Sequence, residues 1–209
     1  MEQTAQQHLE SRDYVLIMDK SGSMEETDCA GGMSRWNAMR ESTEQLARKI
    51  EQFDTDGFTA IPFAGSFKAY ENCKANTVTS IFNENHPGGG TVLAPVLEHA
   101  FADYLKRKAA GQTKQNGEML IVVTDGAPQD ESAVAKTIIN FANKLTNADS
   151  EYGIQFLQIG KDQAASRFLK KLDDDLVAQG AKWDIVDTKT FEEIESIGIT
   201  QALIAALDD

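Results

Sequence analysis

The chain is short of sulfur, proline, imidazole and positive charge. Its two cysteines, Cys29 and Cys73, are too few in 209 residues for a disulfide framework. Two free thiols are expected, with a Cys29–Cys73 bridge as the alternative. Lysine and arginine number 20 against 33 acidic residues, for a net charge of −13. Such a surface repels phosphate backbones and anionic lipid, so neither nucleic acid nor a membrane is an expected partner. No apolar run approaches the roughly 18 residues of a membrane span. The polar start MEQTAQQHLESRD lacks the apolar core of a signal peptide. No Asn-x-Ser/Thr sequon and no Gly-Lys-Ser/Thr phosphate loop occurs. These absences argue for a cytoplasmic protein and against a P-loop enzyme. None of the three histidines, His8, His86 and His99, adjoins an aspartate in sequence.

What is present is alternation. Apolar runs at Tyr14–Met18, Phe58–Phe63, Met119–Val123, Ile154–Ile159 and Trp183–Val186 read as strands. A short antiparallel edge strand is expected at Phe67–Tyr70. Between the runs lie helical stripes, with apolar residues three and four apart. One, capped by Ser34, runs from Trp36 to Phe53. Others run over Thr77–Phe82, Leu93–Leu105, Val134–Leu145 and Ala165–Leu176, and a terminal stripe over Phe191–Leu207 is interrupted by Gly198. Strands alternating with helices imply parallel βαβ units. The expected fold is α/β: a doubly wound, mostly parallel sheet with helices on both faces. Residues 1–12 read as a flexible leader and 13–209 as one domain.

Three segments converge on the carboxyl edge of that sheet, where open α/β folds bind ligands. The first strand ends in Asp19, with Ser21 and Ser23 on the following turn. Taken alone, this reads first as a Ser/Gly turn with an Asp cap. Thr91 follows the triple glycine Gly88–Gly90 at the start of a helix, where it could instead be the N-cap. Asp125 follows the strand from Met119. Two carboxylates and three hydroxyls offer only oxygen, which suits a hard cation: Mg²⁺ first, with Mn²⁺ or Ca²⁺ as alternatives.

Together, DKSGSM at Asp19–Met24, GGGT at Gly88–Thr91 and TDG at Thr124–Gly126 resemble the von Willebrand factor A domain family and its metal-ion-dependent adhesion site. The resemblance extends from about Asp13 to Leu207. It implies a six-stranded sheet with one antiparallel edge strand. It also implies that Ser21, Ser23 and Thr91 bind the ion, with Asp19 and Asp125 behind them, directly or through water. In many members an acidic residue of a partner protein completes the coordination. The free-standing acidic chain is most similar to intracellular microbial members, some of which work beside separately encoded ATPases. The expected function is therefore non-enzymatic, metal-dependent protein binding. Two alternatives are a Mg²⁺-dependent phosphotransfer or hydrolytic enzyme using Asp19 as nucleophile, and a purely structural ion.

Overall fold

The computed structural model describes residues 9–146, 151–198 and 202–203. Six strands form one sheet: β1 (Asp13–Asp19), β2 (Phe58–Phe63), β3 (Tyr70–Cys73), β4 (Glu118–Thr124), β5 (Tyr152–Gln158) and β6 (Val186–Thr190). Their spatial order is β3-β2-β1-β4-β5-β6. Of these neighbours, the β2–β3 pair is antiparallel and the others are parallel. Helices connect or follow them: α1 (Arg35–Phe53), α2 (Ala75–Glu84), α3 (Leu93–Ala109), α4 (Glu131–Ala142), α5 (Gln163–Asp174) and α6 (Phe191–Ile197).

Both central strands are buried on both faces, so their side chains divide between two cores. Val15 and Ile17 of β1 face the layer of α3, α4 and α5, where Phe101 stacks on Phe141 at 4.0 Å between ring centres. Tyr14, Leu16 and Met18 face α1, α2 and Ile194 of α6. The doubly wound sheet expected from the apolar runs is the one observed. Trp36, the first member of the α1 stripe, packs on Phe82 at 4.6 Å.

The differences lie at the edges. β3 is Tyr70–Cys73, not Phe67–Tyr70, because Phe67 makes only an isolated bridge to Phe63 across a tight reversal. The ladder of β3 involves Phe58 and Ala60 of β2, so Pro62 lies beyond it and its missing N–H leaves that pairing intact. β6 starts where Trp183–Val186 was expected to end, and runs on through the polar Asp187–Thr190. α6 stops at Gly198, whose φ of 83° is left-handed. Most of the expected helix beyond it lies outside the described residues, although Ala202 and Leu203 are buried. Of the expected leader, residues 1–8 also lie outside them; Leu9 and Arg12 are buried, and the Tyr14 hydroxyl donates to the Leu9 carbonyl at 2.7 Å.

At the amino edge of the sheet, Glu118 is fully buried. Arg107 pairs with it and also with Asp13 at 2.9 Å and Asp103 at 2.7 Å. Burial still pushes the Glu118 carboxyl up to about 7, with Arg107 pulling the other way.

Candidate metal centre

Strand order reverses between β1 and β4. From β1 the chain winds outward to β2 on one side, and from β4 to β5 on the other. Loops leaving the carboxyl ends of these two strands diverge, and the gap between them is the switch point of the sheet. Asp19 ends β1 and Asp125 directly follows β4, so the fold delivers both carboxylates there. The glycine loop closes over the gap through its backbone. Gly88 N–H donates to the Lys20 carbonyl at 2.7 Å, and Gly22 N–H to the Gly89 carbonyl at 3.1 Å. Gly89 has φ of 84°, and a Cβ on Gly90 would lie 2.4 Å from the Gln129 side chain. A side chain at Gly89 would strain its left-handed backbone, and one at Gly90 would displace the Gln129 side chain.

Four of the five residues singled out by sequence form one hydrogen-bonded line. Asp19 Oδ1 accepts from the Ser21 N–H at 2.7 Å. The Ser21 and Ser23 hydroxyls lie 3.1 Å apart. Ser23 Oγ donates to Asp125 Oδ1 at 3.0 Å. Thr91, the fifth, is not part of this line; its backbone carbonyl accepts from Gln129 N–H at 3.0 Å. It is not the helix cap: Val92 takes that position.

Asp19 and Asp125 are both fully buried, as two like charges at one site. Burial raises the Asp19 carboxyl to about 6; the Asp125 charge adds to the rise, and hydrogen bonds from Ser21 and Thr124 oppose it. Two residues that the sequence did not flag support the aspartates. Thr124 Oγ1 donates to Asp19 Oδ2 at 2.7 Å. Arg35 Nη1 donates to Asp125 Oδ2 at 3.0 Å, while its other nitrogens reach Asp28 at 2.7 and 2.9 Å and Glu26 at 2.8 Å. As the first residue of a helix, Arg35 reads as a surface cation. The signal that could have found it is the acidic loop EETD just before it, which has no lysine or other arginine between it and Arg35.

The donor set fits a hard cation. Paired buried carboxylates repel each other unless a positive charge joins them, and the serine hydroxyls beside them supply neutral oxygen. Among the described residues, no three His, Cys, Asp or Glu side chains gather as a ligand group. A cation here would depend on hydroxyls.

Solved structures share this fold. A mutant form of the PilB minor pilin from Streptococcus sanguinis superposes with a TM-score of 0.62 at 12% identity, over 96% of this chain and 60% of the pilin. The present chain thus spans about three fifths of that protein's length. The manganese-loaded TRAP protein of Plasmodium vivax superposes with a TM-score of 0.56 at 16% identity, over 90% of this chain and 72% of its own. The sequence itself matches the family model of the von Willebrand factor type A domain over residues 13–197. With that match across most of its length, the chain belongs to the von Willebrand factor type A domain family.

Proposed function

We propose that this domain is a metal-dependent protein-binding module. Asp19, Ser21, Ser23, Thr91 and Asp125 hold a divalent cation, directly or through water, and an Asp or Glu of a protein partner completes its coordination. The observation that carries this reading is the unbroken line Asp19–Ser21–Ser23–Asp125 at the switch point, with a buried carboxylate at each end. Mg²⁺ is the first candidate because the donors are all hard oxygen, with Mn²⁺ or Ca²⁺ as alternatives. The manganese-loaded state of the TRAP relative supports a divalent ion in this fold. The ion's chemistry here is electrostatic attraction for a carboxylate.

The enzymatic alternative is disfavoured by how Asp19 is held. Each of its oxygens already accepts one hydrogen bond, from Ser21 N–H and Thr124 Oγ1, and the side chain is fully buried, which hinders the approach of a substrate phosphoryl group while a second lone pair on each oxygen remains for an ion or its water. We place the domain in the cytoplasm, on its acidic surface and two free thiols. An intracellular microbial setting, with a separately encoded ATPase as one candidate partner, belongs to the same proposal.

The test is capture of synthetic peptides with and without a central Asp or Glu on the immobilised full chain. Capture of the acidic peptide in Mg²⁺ is expected, with loss in EDTA and in Ser21→Ala. Unchanged capture in EDTA would refute the proposal. A purely structural ion would instead raise the melting temperature and leave every peptide unbound.

A further inference from the structure

We propose that Arg35 is the charge-setting and positioning residue of this centre: it weakens binding of the ion alone and leaves the loaded site in need of an outside carboxylate. The inference rests on the metal-centre reading above and extends it to a residue outside the three motifs. Arg35 lies on the first turn of α1, only 6% exposed. Its guanidinium takes one oxygen of Asp125 at 3.0 Å, while Ser23 Oγ takes the other, also at 3.0 Å. The two bonds fix the carboxylate plane, with Oδ1 turned to the serines. Gly160, at φ of 75°, lies under the guanidinium, and a Cβ there would sit 2.6 Å from Arg35 Nε. The cation therefore has a seat that only glycine leaves open.

The charge arithmetic follows from these contacts. Among the buried groups, Asp19 and Asp125 carry two negative charges when ionised and Arg35 one positive; Glu26 and Asp28, which also pair with Arg35, are solvent-exposed and more strongly screened. A divalent ion then leaves the centre with one positive charge in excess, in a buried setting where charge is weakly screened. One carboxylate from outside restores neutrality. Without Arg35, the two aspartates alone would neutralise the ion, and its attraction for a partner would fall. Glu26 and Asp28 modulate this field from the loop before α1. Both pair with Arg35, and its hydrogen bonds hold the Asp28 carboxyl below the usual carboxylate range.

Mn²⁺ alone is the probe, titrated into the full chain and followed by electron paramagnetic resonance of the free ion. Arg35→Gln keeps an amide near Asp125 and removes the charge; about tenfold tighter Mn²⁺ binding is expected. Arg35→Lys keeps the charge and is expected to stay within about threefold of wild type. Asp28→Asn, on the exposed loop, leaves more of the Arg35 field on Asp125 and is expected to weaken binding about two- to threefold. A merely structural cluster would weaken binding in both Arg35→Gln and Asp28→Asn; opposite signs separate the two roles. Weaker or unchanged binding by folded Arg35→Gln overturns the inference. Should Arg35→Gln fail to fold, Arg35→Lys beside Asp28→Asn decides: near-wild-type binding in the first with weakened binding in the second supports the charge role, and any other pattern overturns it. A wild type that binds Mn²⁺ while Arg35→Gln does not differ sinks this inference alone. A wild type that never binds Mn²⁺ sinks the metal-centre reading with it.

Discussion

Replacing Asp19 by asparagine should stabilise the metal-free protein at neutral pH while destroying its response to metal. The side chain keeps its size. The amide oxygen of the new side chain can still accept from Ser21 N–H, and Thr124 Oγ1 has the Gly126 carbonyl at 3.2 Å as a second acceptor. What changes is the buried charge. Burial lifts the Asp19 carboxyl from 3.8 to about 6, so ionising it in the fold costs about 3 kcal/mol more than in the unfolded chain. An acid raised in this way contributes stability that is complete below pH 3.8 and is lost as pH rises through about 6. At about pH 7.5 the wild type in EDTA therefore bears the whole cost and Asp19→Asn bears none. Allowing for the altered Thr124 hydrogen bond, a gain of about 1–3 kcal/mol is expected. Urea unfolding in EDTA at about pH 5 and about pH 7.5 measures it. The difference between variant and wild type should grow from the lower to the higher pH. Loss of stability in Asp19→Asn at the higher pH, or a pH dependence identical to wild type, would refute the reasoning.

Other expectations follow from the same contacts. Ion affinity should fall about tenfold per pH unit below pH 6, as protonation of Asp19 competes with the cation; calorimetric titration at about pH 5 and 7 checks this. Arg107→Met should cost about 1 kcal/mol near pH 7.5 through Glu118, and about 1.4 kcal/mol more per pH unit above it, because the unpaired carboxyl stays protonated in the fold while the unfolded chain ionises; near pH 5, where Glu118 is neutral with or without Arg107, that cost should vanish, and denaturant titration across these pH values measures it. Gly160→Ala should lower stability by about 1–2 kcal/mol through its left-handed backbone and shift Mn²⁺ affinity by displacing Arg35; denaturant and Mn²⁺ titrations read the two effects. Trp36→Ala should cost about 3–5 kcal/mol in melting experiments, since the ring fills the interface of α1 and α2 against Phe82.

The centre of this fold is legible in the sequence and its periphery is not, for a physical reason. β1 and β4 are buried on both faces, so composition alone marks YVLIM and MLIVV, and the residue after each run falls at the carboxyl edge. The helical stripes are as plain, because each helix buries one face. β3 and β6 are sheet edges. YENC and VDTKT bury few side chains and hold their place by backbone pairing, which leaves little periodicity. The same split runs through the candidate site. Asp19, Ser21, Ser23, Thr91 and Asp125 carry local turn chemistry that can be read residue by residue. Thr124 reaches the site through Asp19 and Arg35 through Asp125, partners far away in sequence, and the one local trace of Arg35 is its pairing with Glu26 and Asp28 in the acidic loop before it. A threonine ending a strand and an arginine opening a helix have no local signature of burial. Their roles come from the strand order, which sets β1 beside β4.

Thermal melts of wild type and Asp125→Ala, in EDTA and across titrations of Mg²⁺, Mn²⁺ and Ca²⁺, bear most directly on whether this switch point is a metal centre. A ligand confined to the folded state adds about 2.7 kcal/mol at a hundredfold over its dissociation constant. A saturable rise in the wild type with at least one of the three ions, absent in Asp125→Ala, is the expected result. No rise with any ion, or an equal rise in both proteins, would contradict it.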